Sequence, residues 1–338
     1  MRKKNYLLIL AFILIIVSKP SVLFSQETQI RGFAETIASL QDGKVSFALG
    51  EQDLFITSQL NDRFSFLGES VFKFTPGTPT TFSVSIERIV VKYNIVGNHN
   101  FLIGKHHTPI NYWNDTYHHG RVFFPTIYRP LVFEREIIPI HTTGISFQGQ
   151  NLGGVKFGYD LMIGNGLGST DVLDNDSRKS ITTAVHIKPV ENLRLGLSWY
   201  NDVLGKGAKT HDGSVLNWAV HQNLYTGSVA YFGDKFEVLT ETTFANNKTD
   251  TTGSQHTVAT YIYAGIKIKE KIVPYLRFDN IHYQEGEILF DKNNITSIVG
   301  GIRLNVNYLT AVKLEYQHQH SELGGDTNKL TAQLAIGF

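Results

Sequence analysis

Residues 330–338 read LTAQLAIGF. Leu330, Ala332, Leu334, Ile336 and Phe338 fall on one parity, and Thr331, Gln333, Ala335 and Gly337 on the other. Successive side chains of an extended strand point to opposite faces, so this segment is a ribbon with one oily side and one polar side. The pattern continues upstream. Val312, Leu314 and Tyr316 oppose Lys313, Glu315 and Gln317; Ile302, Leu304 and Val306 oppose Arg303, Asn305 and Asn307. Ile262, Ala264, Ile266 and Ile268 oppose Tyr261, Tyr263, Lys267 and Lys269; Leu195, Leu197 and Trp199 oppose Arg194, Ser198 and Tyr200.

Segments of this kind recur about every twenty residues from Gln29 onward, a spacing that belongs to hairpin-connected strands. Sixteen are expected, near 29–39, 45–60, 63–74, 80–94, 98–106, 139–150, 154–165, 179–189, 192–204, 218–232, 235–246, 256–269, 271–283, 294–307, 308–320 and 329–338. Residues 205–221 are ambiguous, so fourteen or eighteen strands stay open. The phase slips near Gly50 and near Glu87-Arg88, where bulges are expected. Tight turns at 61–62, 97–98, 151–153, 191–192, 233–234, 270–271 and 307–308 alternate with longer connections at 75–79, 107–138, 166–178, 205–217, 247–255, 284–293 and 321–328. In a soluble sandwich the oily parity would turn inward. Strands longer than the globular norm of about 5–6 residues, and short turns on one side with long loops on the other, favour a transmembrane barrel with the oily parity on lipid. The fold expected is all-β: a transmembrane antiparallel up-and-down β-barrel.

Residues 1–26 read as a signal peptide and 27–338 as the barrel. Arg2, Lys3 and Lys4 precede the apolar run Leu7–Val17, which is too short for a spanning helix of about 20 residues, and Ser18–Gln26 forms the processing region. The chain has no Cys, so disulfides contribute nothing to an exported fold and no cysteine is present for acylation. Without the leader's Arg2, Lys3, Lys4 and Lys19, 27 basic residues face 30 acidic ones, and no basic excess points to nucleic acid.

The closing segment ending in Phe338 resembles the carboxy-terminal signature of bacterial outer-membrane barrels. A leader followed by sixteen strands resembles the porin superfamily, which includes general and phosphate-selective porins. GEQDLF at 50–55, FSFLGES at 64–70 and HTPINYWNDTYHHG at 107–120 resemble segments of Bacteroidetes-type outer-membrane proteins. The resemblance implies location in the cell outer membrane and contact with its lipid. It implies recognition of the final strand by the barrel assembly machinery, and a homotrimer. It also implies a third outer loop folded into the lumen, where it narrows a channel for small hydrophilic solutes or ions.

Here the loop after the fifth expected strand is the longest, 107–138. Its candidates for bordering a constriction are Arg121, Arg129, Arg135, Glu134, Glu136, Tyr117 and Tyr128. Arginines there could hold anions by fork-shaped hydrogen bonding, or could pair with the neighbouring carboxylates and pin the loop. Lys156, Arg194, Lys267, Lys269, Arg277, Arg303 and Lys313, against Glu69, Asp160, Glu237, Glu241, Asp279 and Glu315, are expected to line the lumen. His106, His107, Asp115, His118, His119 and His141 could ligate a transition metal, since imidazole and carboxylate both bind such ions. The spacing matches no metal motif, and a loop packed through hydrogen-bonded histidines is the competing account. No other cofactor is implied. His141 and Ser146 could suggest a hydrolase, but residues five apart on a strand project to opposite faces and no GxSxG elbow is present.

Overall fold

The computed structural model describes residues 27–75, 81–117, 120–166, 174, 176–209, 214–269, 271–290 and 293–338. The expected leader, His118 and His119 lie outside them. The chain forms sixteen antiparallel strands: β1 (Glu27–Gln41), β2 (Lys44–Gln59), β3 (Phe64–Thr75), β4 (Thr81–Val96), β5 (His99–His107), β6 (His141–Leu152), β7 (Phe157–Gly164), β8 (Ser180–Ile187), β9 (Leu193–Leu204), β10 (Val220–Phe232), β11 (Phe236–Thr249), β12 (Gly253–Ile266), β13 (Ile272–Tyr283), β14 (Ile295–Asn307), β15 (Thr310–Ser321) and β16 (Gly325–Gly337). Each pairs with its sequence neighbours, and β1 pairs with β16 to close the barrel. At the seam Phe338 N–H donates to Gly32 C=O and Gly32 N–H donates to Phe338 C=O, each at 2.9 Å. A Cβ at Gly32 would meet the tip of the Phe338 ring and the Asp53 carbonyl on β2. Followed once round the barrel, the paired positions return to β1 about 20 residues further along, a stagger that tilts the strands by roughly 40°.

The oily parity faces out. Ile302, Leu304, Val312, Leu314, Leu334 and Ile336 are exposed on the outer surface, while Arg303, Lys313, Glu315 and Gln333 are buried inside. Two rings of aromatics bound this apolar belt. Tyr231, Phe236, Tyr308 and Phe338 stand near one rim, and Tyr225, Phe244, Phe278 and Tyr316 nearer the other, all exposed. On β11 the span from Phe236 to Phe244, at ~3.3 Å per tilted residue, covers roughly 20 Å along the barrel axis, close to the apolar band of an outer-membrane barrel. The outer parity of β10–β15 then turns polar, through Asn223, Asn246, Asn280, Thr296 and His320.

Both expected bulges are present. Glu69 pairs with Arg88 and Ser70 with Ile86, so Glu87 is the extra residue. Ala34 pairs with Gln52 and Thr36 with Leu49, so Gly50 and Glu51 together oppose Glu35. The connections expected over 247–255 and 321–328 are shorter than that. β11 and β12 continue to Thr249 and from Gly253, and β15 and β16 to Ser321 and from Gly325. Above the apolar belt both faces of these strands meet water, so alternation ends while hydrogen-bonded pairing continues. The ambiguous 205–221 stretch contains a Lys209–Val215 bridge and the start of β10, leaving the strand count at sixteen.

A charge in the middle of the belt should be costly. Ile302, 51% exposed on the outer wall, lies midway between the two aromatic rings. Ile302→Arg should lower unfolding stability by about 2–4 kcal/mol in urea titrations in lipid vesicles, against about 0–1 kcal/mol for Asn246→Arg above the belt. Equal losses would remove the lipid assignment of the oily face.

Candidate functional site

The segment between β5 and β6 enters the lumen. β5 is short, and Gly104 near its end has φ 128°; a Cβ there would strike the Ile89 carbonyl. Beyond it the chain makes two short helices, α1 (Tyr112–Thr116) and α2 (Leu131–Glu134), with a 3-10 turn at Arg121–Phe123. None is stable alone at that length. What orders them is an apolar core built inside the barrel. Ile110, Trp113, Phe124, Leu131, Val132, Phe133, Ile137 and Ile138 are buried with wall residues of β9–β14, among them Tyr200, Leu224, Leu239, Tyr261, Tyr263 and Val299. Trp113 sits with its ring centroid 5.2 Å from Tyr117, 5.3 Å from Phe124 and 6.1 Å from Tyr261. Ala230, Ala245 and Ala259 on the same wall leave the loop side chains room.

A non-repetitive backbone in such a core must find partners for its N–H and C=O groups. Charged wall residues supply them. Glu241 accepts from the N–H groups of Tyr112 and Trp113 and from the Tyr261 hydroxyl. Asp279 accepts from Leu131 N–H at 3.1 Å and Glu315 from Ile127 N–H at 2.9 Å. Arg277 donates to Tyr128 C=O at 2.6 Å and Arg129 C=O at 3.3 Å. Arg303 donates to Pro125 C=O at 3.2 Å while paired to Glu237 at 2.8 Å, and Lys313 donates to Arg121 C=O at 2.7 Å. These groups face the lumen as expected, but the loop covers them. Arg277, Arg303, Lys313, Glu237, Glu241, Asp279 and Glu315 are buried, and most of them hold the loop backbone. Lys156 lies instead in the exposed turn after β6.

The other end of the loop meets β1–β4. Arg121 lies 3.1 Å from Glu51 and 3.6 Å from Glu35, with its guanidinium 4.9 Å from the Phe124 ring centre. Gly120 N–H donates to Asp53 at 3.4 Å. Lys73 lies 3.4 Å from Glu51 and 3.9 Å from Glu87, and Arg88 binds Glu69. Burial, and then the Arg121 charge, push Arg129 down to about 10, so it stays cationic at neutral pH. Glu35, Glu51, Asp53 and Glu87 were not among the sequence candidates. Glu35, Glu51 and Glu87 stand at the two bulges, where the parity rule loses phase; fixing the bulge first would have placed them inside.

The remaining candidates are spread out. Tyr117 is part of the Trp113 aromatic group, and Tyr128 lies under the Lys329 ammonium at 4.2 Å. Glu134 and Glu136 keep exposed side chains, and Arg135 is half-buried between them. Of the histidines, His107 and His141 come together with ring centres 5.4 Å apart, and His141 lies 3.3 Å from Glu87. His106 hydrogen-bonds Gly104 C=O at 3.2 Å, and Asp115 is held by Arg194 at 2.9 Å. Among the described residues no three His, Asp or Glu side chains are placed to hold a metal ion. Ser146 faces a cavity away from His141, so the two do not form a nucleophile and base.

Beneath the start of the loop a cavity of about 510 Å³ remains along the β1–β7 wall. Pro109 and Asp115 of the loop border it. Arg88, Lys92, Ser146, Gln148 and Asp160 are among its wall residues.

The pin at Glu241 can be tested directly. Glu241→Ala strands two loop N–H groups and a tyrosine hydroxyl, and should cost about 3 kcal/mol. Amide hydrogen exchange at Tyr112 and Trp113 should accelerate, while Thr242→Ala on the outer face leaves it unchanged. Unaltered protection would show that the loop is held by its apolar side chains alone.

No protein-family model matches this chain, and no curated protein matches it in sequence. Solved structures match in fold. The loop L8 deletion mutant of OmpT, an outer-membrane protein of Vibrio cholerae, superposes with a TM-score of 0.67 at 11% identity, covering 93% of this chain and 100% of that one. An anion-selective porin from Comamonas acidovorans gives 0.67 at 12% identity, with the same coverage. The outer-membrane channel DcaP of Acinetobacter baumannii gives 0.61 at 12%, covering 93% and 97%. At these identities the likeness is one of architecture: this chain is a closed sixteen-stranded barrel that shares its fold with those outer-membrane proteins.

Proposed function

We propose that residues 27–338 form a passive, water-filled channel in the cell outer membrane, exported by the leader 1–26. Small hydrophilic solutes and ions would pass beside the 107–138 loop. The observation that carries this reading is the uneven packing of the loop: its apolar core lies on β9–β14, its Gly120–Arg121 end reaches β1 and β2, and the cavity along β1–β7 is left unfilled. Lipid surrounds the belt, and the strand ending at Phe338 is the segment the assembly machinery would bind. No step in this function needs a catalytic residue or a cofactor.

The charges beside the passage favour cations weakly. On β1–β4 the carboxylates Glu35, Glu51, Asp53, Glu69 and Glu87 face the cations Lys73, Arg88, Arg121 and Arg129. Glu27, Asp115 and Asp160 border the cavity with Arg88 and Lys92. A phosphate-selective member of the porin superfamily would need the opposite balance.

Two measurements test the reading. Deleting 110–134 should raise single-channel conductance in planar bilayers roughly twofold, because the narrowest part of the lumen is lost. A barrel that conducts nothing, with or without the loop, would be a plugged structural barrel and not a channel. The reversal potential in a salt gradient should show a preference for potassium over chloride. Arg121→Ala, which uncovers Glu35 and Glu51, should increase that preference up to about fivefold, the effect of about 1 kcal/mol from one charge near the ion path. An anion-selective wild type would overturn the charge assignment.

A further inference from the structure

The cavity along β1–β7 is not lined evenly. Leu67 on β3, Val90 on β4, Leu102 on β5 and Pro109 of the loop give it an apolar strip inside an otherwise polar lumen. Ser146 and Gln148 on β6 stand beside that strip. The pairing register sets Leu102 level with Lys92 on one side and Ser146 on the other, and Ser146 level with Met162 on β7. The two ends of the strip carry opposite charge. At the β4 end Arg88 and Lys92 border the cavity; Glu69 is bonded to Arg88, and Lys92 is in no ion pair with the described residues. At the β7 end Asp115 and Asp160 share one guanidinium. That guanidinium, of Arg194, is committed to Asp115 at 2.9 Å, to His186 Nδ1 at 3.1 Å and to the Tyr112 ring face at 5.0 Å. Asp160 is left with the Gln150 amide at 3.5 Å. The wall therefore leaves one positive charge at one end and one negative charge at the other. Glu27, the remaining carboxylate of the lining, lies three strands from Lys92 in the other direction and accepts from Gln29 at 2.7 Å.

We infer that this cavity is a binding site for short apolar peptides of about three residues, held end to end by their two charges. Lys92 and Asp160 are three strand steps of ~4.8 Å apart, roughly 14 Å along the wall. Both point into the lumen, where side chains on a curved wall converge, so ammonium and carboxylate stand on the order of 10 Å apart. An extended chain of three residues, at ~3.4 Å each, spans the same length. Its carboxylate meets Lys92 and its ammonium meets Asp160. Its amides find Ser146 and Gln148, and its apolar side chains cover Leu67, Val90 and Leu102. A single amino acid is too short to reach both ends, and a fatty acid or a sugar lacks one charge or both. The volume of about 510 Å³ is that of a pocket for a small ligand. Lys92 stands in lumen water, so its pairing energy is modest, and a weak site slows a passing solute without trapping it.

The inference deepens the channel reading and rests on it for the route by which a peptide arrives, but the site itself is tested without conductance. The probe is alanyl-leucyl-alanine, titrated calorimetrically into the folded barrel in detergent. It should bind one to one, about tenfold more tightly than the same peptide with an acetylated amino end and an amidated carboxyl end. Lys92→Gln and Asp160→Asn should each weaken it about three- to fivefold. Amidation alone should cost nothing further in Lys92→Gln, and acetylation alone nothing further in Asp160→Asn. Should either variant fail to fold, the singly blocked peptides on the wild type test the same two contacts. Triglycine, which has no apolar side chain, and 8-aminooctanoate, which has both charges but no amide, should bind more weakly. No heat at tens of millimolar peptide, equal affinity for the doubly blocked peptide, equal affinity for 8-aminooctanoate, or a larger loss at Glu27→Gln than at Asp160→Asn would each overturn the assignment. A barrel that conducts salt without binding peptide overturns this inference alone, and one that binds peptide without conducting overturns the channel reading alone.

Discussion

Hydrocarbon offers the backbone no hydrogen-bond partner, and every other feature of this protein follows from that constraint. Sixteen strands pair edge to edge, and β1 must meet β16 because an open edge in the membrane would leave a row of N–H and C=O groups unpaired. Closure at Gly32 and Phe338 is made by a reciprocal pair of backbone hydrogen bonds, each 2.9 Å. Closure also sorts the side chains. Lipid takes the oily parity and the lumen takes the charged one, so the polar interior of this barrel is the reverse of a soluble protein's core.

A charged interior is a poor place for an irregular loop, and two adaptations make it a good one. Along β9–β14 the inward parity is built from Tyr, Leu and Ala, an apolar patch inside the lumen on which Trp113, Phe124 and Phe133 settle. Around this patch, wall carboxylates meet loop N–H groups and wall cations meet loop carbonyls. Burying an unpaired charge in such a place would be strongly destabilising, and each of these ions is compensated by a neighbour or by loop backbone. Arg303 with Glu237, and Arg277 with Asp279, are both ion pairs and loop anchors. The loop is therefore a fixed partition rather than a flap.

Because the apolar core of the partition packs on one wall and only its Gly120–Arg121 end reaches the other, the lumen has two unlike sides. On the β9–β15 side charge is spent on structure. On the β1–β4 side two bulges turn Glu35, Glu51 and Glu87 toward Arg121, Lys73 and His141, and the remaining space is bordered by Glu27, Arg88, Lys92, Asp115 and Asp160. Irregularity in the sheet and the arrangement of charge at the candidate constriction thus share a cause: an extra residue in a strand re-aims its side chains.

The sequence by itself determined the barrel, because parity is a local property. LTAQLAIGF and its fifteen relatives state which face is oily without reference to any distant residue, and strand length and turn spacing follow. The two phase slips announced the bulges. The long stretch between β5 and β6 announced itself as a loop, and its aromatics as a packed one. Tertiary structure alone decided what each inward charge does. Lys313 on β15 and Lys92 on β4 both have the inward parity, yet one is buried against Arg121 C=O and the other borders the cavity. That difference depends on which wall the loop leans against, a choice made by shape and by contacts between residues more than a hundred positions apart. No local pattern encodes it.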